Sequence, residues 1–250
     1  EGFNRGEAAE EEPAASKGEY ASIADIDELK KLTTDIEQAG EVAIAVNAEL
    51  GTRNSEQKNA ESLFLIPQSA IRNPHCVIAF CLKPHQAFSV SIPPLLAHSA
   101  LETIKPVIED EGIKKMSCDV KGVHLFFKRY NICMKGAHFD AGIASYLLNP
   151  SRSSHTLEDI AYEQLGYKIK GQGVRGKGQD SDEDAICNQA CAEADAVFQL
   201  SQKMLPQLEN EGLLKLFNEI EMPLAEVLAE MELDGIRIDK DYLSTRWHKD

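Results

Sequence analysis

With 250 residues, 41 acidic against 26 basic side chains and a formal net charge of −15, the chain can bury a sizeable core. Its acidic balance argues against tight binding to DNA phosphates by this stretch alone, since such binding depends on clustered Lys and Arg. No run of about 18 apolar residues occurs, so no membrane-spanning helix is expected. No signal-peptide pattern follows Glu1, and the absence of an initial Met gives the look of a piece excised from something longer. The six cysteines form no C-x-x-C pair and no matching H-x-x-x-H exists, which argues against structural zinc and for free thiols in a reducing, cytoplasmic setting.

Residues 1–18 are acidic and aperiodic, and read as a flexible linker. A helix is expected over Asp25–Gln38, with Ile26, Leu29, Leu32 and Ile36 on one face. After Gly40, the apolar run Val42–Val46 has the pattern of a strand covered on both faces. Residues 51–61 form a polar loop, and Val77–Leu82 and Ala87–Ile92 make a hairpin around Lys83-Pro84-His85-Gln86. Leu95–Glu109 is helical by pattern and Ile113–Cys118 a short strand, followed by helices at Lys121–Tyr130, Asp140–Leu148 and Leu157–Leu165. Thr156 and Asp159 have capping-box spacing, and Gly166 is placed as a C-terminal stop.

The segment 171–176 satisfies G-x-G-x-x-G, but it lacks an apolar βαβ context and reads as a loop. Arg175 and Lys177 in and beside it are the candidate phosphate-backbone contacts, with solvated loop charge as the default. The acidic run Asp180–Asp184 is placed to cap a helix starting near Ala185, on which Cys187 and Cys191 pack as small apolar groups. From Leu213 to Met231, apolar residues recur at helical spacing: Leu213, Leu216, Phe217, Ile220, Leu224, Val227, Leu228 and Met231. One buried stripe is expected, with a kink near Met222 where Pro223 interrupts it, a stop at Gly235 and a short strand from Ile236 to Asp239. Strands first, with helices later, indicate an α/β domain.

The literal residues of the last segment, FNEIEMPLAEVLAEMELDGIRID, resemble the passage from exonuclease to polymerase domain in family A DNA polymerases of the bacterial DNA polymerase I type. HFDAGIASYLLNPSRSSHTLEDIAYEQLG, KKMSCDVKGVHLFFKRYNI and AEADAVFQL are similar to that family's exonuclease domain, extending the resemblance over roughly residues 20–210. The resemblance implies an α/β, ribonuclease H-like 3′–5′ exonuclease fold, a mixed sheet flanked by helices, followed by C-terminal helices. It implies an exonuclease-like domain over 19–210 and the truncated start of the polymerase domain over 211–250. The implied parent is a DNA polymerase of replication and repair, with Mg²⁺ expected in its polymerase domain, DNA as partner, no membrane association, a monomeric state and a nucleoid-associated cytoplasmic location.

An active exonuclease of this kind clamps a phosphodiester between two divalent ions about 3.5–4 Å apart, held by several carboxylates. The family supplies D-x-E on the first strand, Asp on a helix after the central strand and a late Y-x-x-x-D. Here the matching positions are Asn47 and Glu49, then Val123, then Gln189 and Glu193. An isopropyl group cannot bind a cation, and Gln189 cannot replace an ionisable phenol. The expectation is a catalytically silent scaffold that itself holds no metal. The alternatives are Asp119 substituting for the lost ligand from the same helix face, and an active DNA or ribonuclease D-like exonuclease with altered ligands. His124 adjoins the lost metal position and is expected to be an ordinary hydrogen-bonded or exposed histidine.

Overall fold

A computed structural model describes residues 18–48, 76–92, 97–169 and 182–236. They build a mixed six-stranded sheet: β1 (Glu19–Ile23), β2 (Glu41–Ala48), β3 (Cys76–Lys83), β4 (Gln86–Ile92), β5 (Lys114–Ser117) and β6 (Ala137–Asp140), in the order β1-β4-β3-β2-β5-β6. The β3–β4 hairpin and the β2–β3 pair are antiparallel, whereas β1 with β4, β2 with β5 and β5 with β6 run parallel. Cys76 to Cys81 are all buried in succession, because helices cover both faces of the sheet centre.

The helices follow the expected periodicity. α1 (Ile26–Ala39) buries Leu29, Leu32 and Ile36, is capped by Asp25 and stops at Gly40, whose φ of 69° suits glycine. α2 (Ala97–Glu109) packs on α1, and the buried Lys115 of β5 donates its Nζ proton to the carbonyl of Asp110 just past its end. Burial lowers that lysine to about 8. α3 (Val120–Lys128) begins at the N-cap Asp119, and α4 (Ala141–Leu148) at Asp140, the last residue of β6. α5 (Leu157–Leu165) starts at Thr156, whose Oγ1 accepts the Asp159 N–H and donates to the Asp159 carboxylate, and ends on Gly166.

The 29-residue α6 (Asp182–Asn210) crosses the sheet and buries Cys187 and Cys191; it begins earlier than the expected Ala185. All six thiols are free. β1 and β6 were not expected from the sequence. Among the described residues no helix is long and apolar enough to cross a membrane.

The C-terminal segment departs from expectation. The helical turn α7 (Leu214–Leu216) runs through a π-helical stretch at Phe217–Glu221 into α8 (Met222–Asp234), so Pro223 enters at a first-turn position and the expected kink becomes a change of helical pitch. A π turn spends roughly one residue more than an α turn, which brings Phe217, Met222, Ala225 and Ala229 onto the one buried face. The expected stripe is not buried: Ile220, Leu224, Val227, Leu228 and Met231 are exposed, and only Phe217 of that set is fully covered. Gly235 closes α8 as expected, donating its N–H to Met231, while 237–239 of the expected strand lie outside the described residues.

Candidate functional site

A cleft of about 480 Å³ opens where the end of β2, the start of α3 and the middle of α6 meet. Asn47, Val123 and Glu193, far apart in sequence, all line it. Gln189 lies one helical turn before Glu193 and reaches the site through it, donating from Nε2 to Glu193 Oε1 at 2.9 Å. Glu49, Arg175 and Lys177 lie outside the described residues, as do the linker 1–17 and loop 51–61.

The cleft wall is largely aliphatic and aromatic, with Ile44, Val46, Leu125, Phe126, Leu157 and Val197 around the buried Val123. Burial raises the Glu193 carboxyl above its ordinary range, the Gln189 hydrogen bond partly opposes this, and neighbouring Glu158 adds to the rise. Such a carboxyl holds its proton more readily than a solvated one, the opposite of what a hard cation demands of a ligand. Cys118 also lines the cleft, and burial and nearby carboxylates drive its thiol far up, so it is not a ready nucleophile.

Asp119 sits one turn before Val123, whose N–H donates to the Asp119 carbonyl at 3.1 Å, and both residues line the cleft. Asp119 is the N-cap, and its Oδ1 accepts the Gly122 N–H at 2.9 Å while the residue lines the cleft mouth. Asp140 is turned away to structural work, accepting N–H groups of Val120 at 2.8 Å and Ile143 at 2.9 Å; burial raises it to about 7. Among the described residues no three His, Cys, Asp or Glu side chains converge on a common point that could hold a metal ion. Among Asn47, Val123, Gln189 and Glu193 only Glu193 offers a carboxylate, too few hard oxygen donors for a two-metal phosphodiester site.

His124 points away from the cleft, fully buried, with Nε2 3.3 Å from Glu230 Oε1 on α8. Three groups escaped the sequence. Lys121 and Arg129 supply positive charge to the cleft lining. Asp195, two residues beyond Glu193 and fully buried, accepts from the His85 N–H at 2.7 Å, Tyr20 Oη at 3.0 Å and Gln199 Nε2 at 2.9 Å. Its signal was a second carboxylate, two residues after Glu193, inside the mostly apolar run AEADAVFQL.

Comparison with known proteins fits this geometry. DNA polymerase I of Bacillus subtilis is 34% identical over 146 residues, covering 57% of this chain and 17% of that protein. DNA polymerase I of Rhizobium leguminosarum is 31% identical over 152 residues, covering 58% of this chain and 15% of that protein. The chain therefore spans only about a sixth of the length of these relatives.

Among solved structures, the POL domain of Pol1 from M. smegmatis, in complex with DNA primer-template and dNTP, superposes with a TM-score of 0.66 at 18% identity, covering 90% of this chain and 34% of that one. NrnC of Brucella melitensis bound to pGG gives 0.59 at 17% identity, with 86% and 92% covered. At such identities these likenesses speak for the ribonuclease H-like fold. The family model described as DNA polymerase I, ribonuclease H-like domain matches residues 74–200, and the chain belongs to that family.

Proposed function

We propose that this chain is the exonuclease-like part of a DNA polymerase I that has lost 3′–5′ exonuclease activity and serves as a scaffold for the polymerase region. Residues 19–210 form that domain, and 211–250 begin the polymerase domain. The observation that supports the proposal is Val123, whose buried isopropyl group lines the same cleft as Asn47 and Glu193, at the position that the resemblance gives as a metal ligand. Restoring a metal there would require a carboxylate where the packing is now apolar.

In this proposal the parent is the enzyme, a DNA-directed DNA polymerase of replication and repair. It acts in the bacterial cytoplasm, with DNA bound and Mg²⁺ used mainly in the polymerase region and with a monomeric chain. The competing reading, an active exonuclease with altered ligands, draws on the Asp119 and Glu193 carboxylates that both line the cleft. Crystals soaked in Mn²⁺ separate the two. No ion pair beside Glu193 is the expected result, and two anomalous peaks about 4 Å apart there would overturn the proposal.

A further inference from the structure

The cleft between β2, α3 and α6 offers room and apolar walls but few of the hard donors that metal chemistry needs. Its volume of about 480 Å³ falls in the range of small-molecule pockets, roughly 300–1,000 Å³, and far exceeds the water-sized voids of a packed interior. The walls come from four elements anchored in the core: Ile44 and Val46 from β2, Val123 and Phe126 from α3, Leu157 from α5 and Val197 from α6. All but Val46 are buried, so core packing shapes the walls before any ligand arrives.

Three ionisable groups of the lining are engaged within the protein. Asp119 Oδ1 accepts the Gly122 N–H at 2.9 Å, Glu193 Oε1 accepts from Gln189 Nε2 at 2.9 Å, and Lys121 Nζ lies 2.6 Å from Glu232 Oε1. Acidic and basic side chains balance in number, Asp119 and Glu193 against Lys121 and Arg129, so the lining is complementary to a neutral ligand rather than to an ion of either sign. A nucleotide or a DNA end is disfavoured further by the net charge of −15 on the chain. Asn47, near the end of β2, brings an amide that can both donate and accept. We infer that the cleft binds an uncharged, mainly apolar small molecule, its aromatic or branched aliphatic body against Val123, Phe126 and Val197 and its one hydrogen-bonding group toward Asn47. Apolar contact supplies the affinity and the amide sets the orientation. The inference rests on the proposed function, because an active two-metal site would claim the same space for a phosphodiester.

The test is a fluorescence titration of the 250-residue chain, in EDTA, with N-phenyl-1-naphthylamine, an uncharged apolar dye that brightens on leaving water. The expected result is saturable binding of one dye per chain. Val46→Trp, which fills the cleft from half-buried β2, weakens it by roughly ten-fold or more, and Val123→Phe does the same from α3, so the test stands if one of them fails to fold. Leu228→Lys, on the exposed apolar stripe of α8, leaves binding unchanged. The anionic dye 8-anilinonaphthalene-1-sulfonate binds roughly ten-fold more weakly. Absence of saturable binding, indifference to both cleft-filling variants, or loss in Leu228→Lys would overturn the inference. So would equal or tighter binding of the sulfonate, or displacement of the dye by dTMP, since the ligand would then be an anion or a nucleotide. Nuclease assays read the proposed function separately: metal-dependent release of nucleotides refutes the silent cleft, whereas a nuclease-silent chain that binds no dye refutes the pocket alone.

Discussion

Replacing Asp195 with Ala removes the acceptor shared by three donors that come from β1, from the β3–β4 turn and from α6 itself. The carboxylate is fully buried, so water cannot take its place without opening the fold. Hydrogen bonds to a charged group contribute about 1.5–3 kcal/mol each, but three that share one acceptor do not add. Leaving these buried donors without their acceptor costs about 1–3 kcal/mol for each one that water does not reach, on the order of 3–4 kcal/mol for the set. For a chain of this length about 2–4 °C of Tm follows each kcal/mol, so a fall of roughly 10 °C is expected.

Urea unfolding followed by circular dichroism measures the loss directly, with the midpoint moving and the slope unchanged. Tyr20→Phe and Gln199→Ala serve as internal controls. Each leaves two donors on the carboxylate and should cost about 1 kcal/mol. A loss below about 1 kcal/mol for Asp195→Ala would refute the claim that this carboxylate ties α6 to the hairpin and the edge strand.

Three further outcomes are expected. Asp140 is raised from 3.8 to about 7 in the fold, so the native state holds its proton where the unfolded chain has lost it. Its contribution is fully present below about pH 4 and disappears as pH rises through 7, costing wild type on the order of 4 kcal/mol relative to Asp140→Asn across that window. Parallel pH–stability curves for the two proteins would contradict this. Thr156→Ala removes the α5 cap and should lower stability by about 1 kcal/mol in thermal unfolding, and an unchanged Tm would mean the cap contributes nothing. The double variant Asn47→Asp/Val123→Asp places two carboxylates beside Glu193, so it should be destabilised in EDTA and recover Tm in millimolar Mg²⁺, with wild type indifferent to the ion. Identical Mg²⁺ responses would refute the view that these two positions are what the site lacks.

Most helices were legible because their apolar spacing and caps are local: Asp25, Thr156, Gly40 and Gly166 sit where the sequence puts them. β1 was not, since it is an edge strand with only Ile23 buried and no alternation to read. β6 hid because its four residues end in Asp140, which doubles as the cap of α4. α8 was read with the wrong face inward, because a strict helical period cannot anticipate the π-helical stretch that turns Ala225 and Ala229 inward.

At the site, the absence of a carboxylate at Asn47 and Val123 could be read from residue type alone, because that chemistry belongs to the side chain itself. Asp195 could not, since its role depends on partners 110 and 175 residues away. Asp119 shows the same limit, because its spacing from Val123 brings both into the cleft lining but does not tell that its Oδ1 is taken up by the Gly122 N–H at the start of α3.

The most direct test of the proposal that the cleft is silent is release of nucleotides from 3′-end-labelled single-stranded and mispaired DNA by the purified 250-residue chain, in Mg²⁺ or Mn²⁺. The expected result is no release above the metal-free control, with Glu49→Ala and Glu193→Ala indistinguishable from wild type. Metal-dependent shortening of the labelled strand that either substitution abolishes would contradict it.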